Sequence, residues 1–270
     1  MSIVTISRGS GSGGLLLAEH LSKRLGYELV SRENIIDEGA KFGVSVEVLG
    51  KAVLEPVGFW ERFKHERRQY LAFFQATLCE RAKNDRLVYL GHAGHLLLRG
   101  VSHVLCVMVI APMAFRIQIA MDREKMNHDA ALRYVQRMDR QRKKWTRFLY
   151  GVDWLDPSLY DLVINLRNLD VEGAVELVAT AVQRETFQPT EASRKAMANL
   201  LLASRVRATL AANKSTSFAD IDVKAEDGVV YLKGRVRPGS MLDSVVRVAG
   251  SVEGVCEVNG KDLGAPDYAI

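Results

Sequence analysis

Between Ile6 and Leu21 the chain reads ISRGSGSGGLLLAEHL, a strand end, a glycine-rich turn and the start of an apolar-periodic helix. Residue types in this order suit the capture of phosphate. A helix start presents unpaired N–H groups and a partial positive charge. Glycines let the backbone close around an anion. Ser10, Gly11, Ser12, Gly13 and Gly14, with Leu15 after them, are the candidate cradle. The lysine and Ser/Thr that usually end such a loop are missing in either register. If the loop runs from Gly9 to Gly14, Leu15 and Leu16 follow; if Gly13 closes it, Gly14 and Leu15 follow. Arg8, directly before the cradle, can bring a guanidinium to where the lysine is lost. A second cationic feature lies at residues 133–147, RYVQRMDRQRKKWTR, with seven basic residues against one acid. Arg137 and Arg140 share a helix face at a spacing of three. On charge alone such a stretch suits an anionic ligand held at one place.

These residues need a frame. Ile3 to Ile6 and the run VLCVMVI at 104–110 read as buried strands, and Tyr27 to Val30, Leu87 to Leu90 and residues 161–165 as further strands. Helical patterns occupy 32–42, 59–83, 113–122, 128–148 and 171–184, and a helix running from Leu17 through Leu25 stops at Gly26. Alternation of this kind predicts an α/β fold with a parallel sheet and helices on both faces, with ligands at the carboxyl ends of the strands. Residues 186–202, which contain Pro189, read as a linker running into a helix. A different pattern follows, with a helix at 204–212, strands at 221–224, 229–236 and 255–258, and a helix at 240–250. That order is a small α+β (αββαβ) domain. The expected division is therefore 1–185, linker 186–202 and 203–265.

The 270 residues are 48% apolar and 26% charged, an ordinary globular balance. The net charge of +5 is accounted for by residues 133–147, whereas residues 203–270 carry nine basic and nine acidic residues. One localised anionic ligand is expected rather than a generally basic surface. No apolar run is long enough to span a bilayer and the N-terminus has no export signature, so the expected location is the cytoplasm. Cys79, Cys106 and Cys256 are read as reduced, packed thiols, and His92 and His95 in a strand-to-helix turn do not make a zinc site.

Four segments resemble the cytidylate kinase-like family of P-loop proteins, relatives of nucleoside monophosphate kinases: IVTISRGSGSGG at 3–14, LGYELVSRENI at 25–35, VYLGHAGHLLLR at 88–99 and the long block at 136–178. The resemblance covers about residues 1–185 and implies a P-loop NTPase-type sheet, ATP as phosphoryl donor with magnesium, and a nucleotide acceptor. This family commonly carries glycine in place of the lysine. Carried over residue by residue, Ser10 to Gly14 correspond to the phosphate loop, and Arg137, Asp139, Arg140 and Arg142 to the segment that closes over the phosphates. Arg32, His92 and Asp139 fall where acceptor substrate is handled. The chain departs from the pattern at Ser31, often Asp; at His92, often Arg; and at Leu15, otherwise polar. Residues 203–263 resemble a BON domain through RVRATL, IDVKAEDGVVYLKGRV and VVRVAGSVEGVCEVNGKDL, which implies a module for a protein or lipid-surface partner. The aromatic helix at 59–78 could pack in the core, which is the default, cover the acceptor pocket or form the dimer face of a homo-oligomer. Two functions follow: a nucleotide kinase with an arginine-based site, or a weak or inactive nucleotide-binding regulator signalling through the BON domain. The run RQRKKWTR with Trp145 also has the make-up of a single-strand binder, but it coincides with the segment that closes over phosphates, so nucleic acid is not the expected partner.

Overall fold

A computed structural model of the chain describes residues 2–39, 64–236 and 240–264. Five parallel strands form one sheet in the order β2-β3-β1-β4-β5: β1 (Ile3–Arg8), β2 (Glu28–Ser31), β3 (Leu87–Leu90), β4 (Val104–Ile110) and β5 (Leu162–Asn165). β1 is central, with Ile3 opposite both Leu87 and Val104. Its sequence is apolar because both of its faces are covered. On one face Val4, Ile6, Val88, Leu90, Leu105 and Val107 meet α1 (Gly14–Leu25) and α7 (Val171–Val182). Ile3, Leu87 and Tyr89 on the other face are equally buried.

Side-chain caps and αL residues set the helix limits. α2 (Arg32–Gly39) is started by a reciprocal pair, Ser31 N–H to Asn34 Oδ1 (2.8 Å) and Asn34 N–H to Ser31 Oγ (3.3 Å). α3 (Lys64–Ala82) precedes β3, and α4 (Gly94–Leu97) follows it. α5 spans Met113–Glu124, and α6 spans His128–Tyr150. Asn127 caps α6 by accepting the Ala130 N–H at 2.9 Å, and Asp170 caps α7 by accepting that of Gly173 at 2.8 Å. Buried His103 fastens the start of β4: Nδ1 is 2.8 Å from Ser193 Oγ and Nε2 is 3.0 Å from Asp85 Oδ1.

The chain falls into two compact units, residues 1–34 with 84–193, and residues 35–83 with 194–270. The second unit contains α8 (Glu191–Ala212) from Arg194 onward, β6 (Asp220–Glu226), β7 (Val229–Arg235), α9 (Ser240–Gly250) and β8 (Glu257–Gly264). β6 and β7 are antiparallel, and β8 joins β7 in parallel. The core is built from Val206, Leu210, Val223, Val230, Leu232 and Val245. Within this unit α3 packs on α8: Phe73 and Ala76 meet Ala208, Arg205 pairs with Glu80, and the Gln69 side chain donates to the Ala211 carbonyl at 2.8 Å.

Three expectations change. Most of the segment read as a linker, 186–202, is helix. A short 3-10 turn, Glu185–Phe187, precedes α8, and Thr190 and Ser193 cap each other at its start. Met197 and Leu201 are buried, so the helix has an apolar face well before residue 204. The last strand lies at 257–264 rather than 255–258, because the pairing with β7 runs on to Arg235↔Gly264. Cys79 is buried, but Cys256 is exposed, so it is not a packed thiol. The helix read from residue 59 is described from Lys64; residues 59–63, and 40–42 of the 32–42 pattern, lie outside the described residues.

Leu21 is fully buried between α1 and the sheet. Leu21→Ala should lower the unfolding free energy by about 2–5 kcal/mol, measured by denaturant titration, because the cavity cannot close between packed layers.

Candidate functional site

β1 ends at Arg8 and α1 begins at Gly14, with Gly13 as its N-cap in the left-handed region (φ 82°). The loop therefore closes at Gly13, and Gly14 and Leu15 stand where lysine and a hydroxyl would be. Close approach dictates the glycines. Gly11 has φ 70°, and a Cβ there would lie 2.6 Å from the Arg116 carbonyl oxygen. A Cβ at Gly13 would lie 2.7 Å from a Leu166 methyl. Ser12 Oγ donates to the Val109 carbonyl at 3.0 Å and so anchors the loop to β4. Ser10 Oγ is buried with no hydrogen-bond partner among the described residues.

Arg116 organises the loop from α5. Its Nε donates to the Ser10 carbonyl at 2.7 Å, and its Nη2 meets Asp139 Oδ2 at 2.6 Å. Asp139 Oδ1 accepts the Ser10 N–H at 3.4 Å. Asp139 is thus tied to the loop by an ion pair that is largely shielded from water. Arg116 was not singled out from the sequence. The available signal was a single charged residue in the apolar stretch MAFRIQIAM, residues 113–121.

Arg142, on α6, donates from Nη1 to the Arg8 carbonyl at 2.8 Å. Burial, then the nearby Arg8 charge, push the Arg142 pKa down to about 10. Burial also lowers that of Arg8, opposed by Glu33 and Tyr89 and aided by Arg123. A cleft of about 290 Å³ opens above the loop, lined by the glycines and by Arg8, Arg123, Tyr134 and Arg142, with Leu15 at its edge. Arg137 and Arg140 share a face as their spacing requires, but they line a separate groove of about 500 Å³ with Met126, Ala130, Arg133 and Tyr134. The Arg137 guanidinium sits 5.9 Å from the Tyr134 ring centre.

His92 follows the end of β3. Its Nε2 lies 2.5 Å from Thr146 Oγ1, whose single proton is donated to the Arg142 carbonyl at 2.9 Å. His92 must therefore donate through Nε2–H, which fixes the tautomer. Its ring also meets Trp154 edge-on at 4.9 Å. Burial, then Arg142, Arg32 and Arg8, hold its pKa well below 6.5, so the ring is neutral. Arg32, at the start of α2, thus shares one electrostatic field with Arg8, Arg142 and His92. Among the described residues no group of three His, Cys, Asp or Glu side chains could hold a metal ion, and no helix is long and apolar enough to cross a membrane.

Residues 3–168 match the family model described as the cytidylate kinase-like family, and residues 200–261 match the BON domain. A cytidylate kinase of Saccharolobus islandicus is 26% identical over 194 residues, covering 72% of this chain and 97% of that kinase. A cytidylate kinase of Methanocaldococcus jannaschii is 28% identical over 183 residues, covering 67% and 97%. Among solved structures, an uncharacterized protein from Eubacterium ventriosum superposes with a TM-score of 0.54 at 19% identity, covering 67% of this chain and 97% of that one; this shows likeness of fold.

Two outcomes are expected. Asp139→Asn should weaken ATP binding about tenfold, as seen by calorimetry, through release of Arg116 and the Ser10 backbone. The second concerns His95, whose two ring nitrogens have no hydrogen-bond partner among the described residues and whose pKa burial, then Arg99, push down to about 4. The unfolded chain protonates His95 near pH 6.5 and the folded chain only near 4, so stability falls as pH drops between these values. The loss amounts to roughly 3 kcal/mol at most. Urea unfolding of His95→Leu should show a flatter dependence on pH across that window.

Proposed function

The chain belongs to the cytidylate kinase-like family and carries a BON domain, and from that premise we propose that it binds ATP at the glycine loop and transfers the γ-phosphoryl group to a nucleoside monophosphate. The observation that supports this most is the cleft above Gly9–Gly14, where a helix start and the guanidiniums of Arg8, Arg123 and Arg142 converge. In this reading the loop N–H groups hold the phosphates, and the arginines neutralise charge as the β–γ bridge breaks. An oxygen of the acceptor phosphate forms the new bond to the γ-phosphorus. ADP leaves with the bridging oxygen, and a nucleoside diphosphate is the second product. Arg32 and His92 are the proposed acceptor-side residues. Arg137 and Arg140 are proposed to bind phosphate from their neighbouring groove once a nucleotide is present. Asp139 serves by orienting the loop. Magnesium has no cage of protein ligands among the described residues, so it would arrive with the nucleotide phosphates. Residues 1–185 form the proposed catalytic region, acting in the cytoplasm where nucleotides are supplied. Residues 203–265 form a proposed interaction module for a protein or lipid surface, and self-association is one use of such a module.

A second reading rests on Gly14 and Leu15. With neither the loop lysine nor the hydroxyl, each lost group costs on the order of 2–4 kcal/mol of transition-state stabilisation. In this reading the chain binds nucleotide without appreciable turnover and signals through the BON domain.

Calorimetry with ATP, with and without magnesium, followed by a coupled assay of ADP release over all nucleoside monophosphates, separates the two. Binding with acceptor-dependent ADP release is the result expected of the kinase. Binding without release supports the regulator, and no binding at all refutes both.

A further inference from the structure

The loop contains a glycine that its own backbone does not need. Gly14 is the first residue of α1 and is not among the glycines with positive φ, so an L-residue could adopt its conformation. The obstacle is a side chain. A Cβ at residue 14 would lie 2.8 Å from Arg8 Cβ and 2.9 Å from Arg8 Cδ. The stem of Arg8 thus fills the space in which a side chain at 14 would begin, which is where a phosphate-loop lysine starts. The Arg8 guanidinium lines the cleft and has no ion-pair partner within 4 Å among the described residues. The nearby carboxylates are Glu33, acting at longer range, Glu124, which pairs with Arg123 at 3.8 Å, and Asp139, held by Arg116. Arg142 is close by and bound to the Arg8 carbonyl. A shielded guanidinium facing a second one is costly unless an anion joins them.

Building on the reading of this cleft as a phosphate site, we infer that Arg8 is the displaced phosphate-loop cation, moved from the helix start to the strand end, and that Gly14 is its obligatory partner. The two positions form one exchangeable unit: a cation at 8 with no side chain at 14, or a cation at 14 with no side chain at 8. The ligand it serves is a polyphosphate chain, which takes two hydrogen bonds from a planar guanidinium where an ammonium offers a single point charge.

The exchange can be made directly in the full chain with Arg8→Gly, Gly14→Lys and the double variant, using ATP and inorganic tripolyphosphate as probes and thermal unfolding on the same samples. Arg8→Gly should weaken both ligands about tenfold or more, the weight of one charge-assisted contact. Gly14→Lys alone should lower the melting temperature. The double variant should recover the melting temperature and bind both ligands at least about tenfold more tightly than Arg8→Gly. Arg8→Gln, which keeps the stem, should hold the parent's melting temperature while losing affinity; this covers the case in which Arg8→Gly does not fold. Parent-like affinity in Arg8→Gln, or a double variant no better than Arg8→Gly, overturns the inference. A parent chain that binds neither probe overturns the phosphate-site reading itself. Parent binding that survives loss of the Arg8 charge overturns the inference alone.

Discussion

Arg8 and Arg142 lie side by side in the cleft at the end of the central strand, and the repulsion between their charges is the constraint to which the neighbouring groups answer. Arg8 is fixed because it belongs to β1, which has a hydrogen-bonded neighbour on each side. Arg142 is fixed because it holds the Arg8 carbonyl. Neither can move away, so both charges stay in the cleft. His92 stays neutral and donates to Thr146. Arg116 carries its own carboxylate, Asp139. The burial that depresses the pKa of both Arg8 and Arg142 also makes the cleft a low-dielectric setting, in which an anion would be held strongly.

Much of the frame was legible because buried parallel strands leave a plain record. Leu87–Leu90 and Val104–Ile110 are continuous apolar runs and have those limits in the structure. The helix at Ser240–Gly250 was equally plain from its amphipathic spacing. The final strand was obscured because NGKDLG, at residues 259–264, is too polar and too rich in glycine to look like one. The helix expected at the end of the linker begins earlier than read, just after Pro189. Proline marks a break, but the Thr190–Ser193 cap that restarts the helix straight after it acts through side chains, and periodicity does not register those.

The site was legible in its types of residue and not in its geometry. The glycine loop admitted two registers, and only the αL N-cap at Gly13 decides between them. Arg137 and Arg140 do share a face, but of the arginines on α6 the one bonded to the strand end before the loop is Arg142, two residues further on. Helical spacing gives relative direction around an axis; it cannot say which side meets the loop. The Arg116–Asp139 pair joins α5 to α6, and the partners are 23 residues apart. Such a pair leaves no local trace beyond one charge in an apolar stretch.

The division of the chain has a further consequence. The two similarities follow one another along the sequence, with residues 3–168 and then 200–261. The compact units do not, because residues 35–83 leave the first unit after β2, belong to the second, and return before β3. The backbone therefore crosses from one unit to the other three times. Heredity and packing divide this protein at different places. A cut between 168 and 200 would respect the ancestry of each half yet strip Phe73 and Ala76 of their contact with Ala208, so modules that read as separable in the gene are not separable in the core.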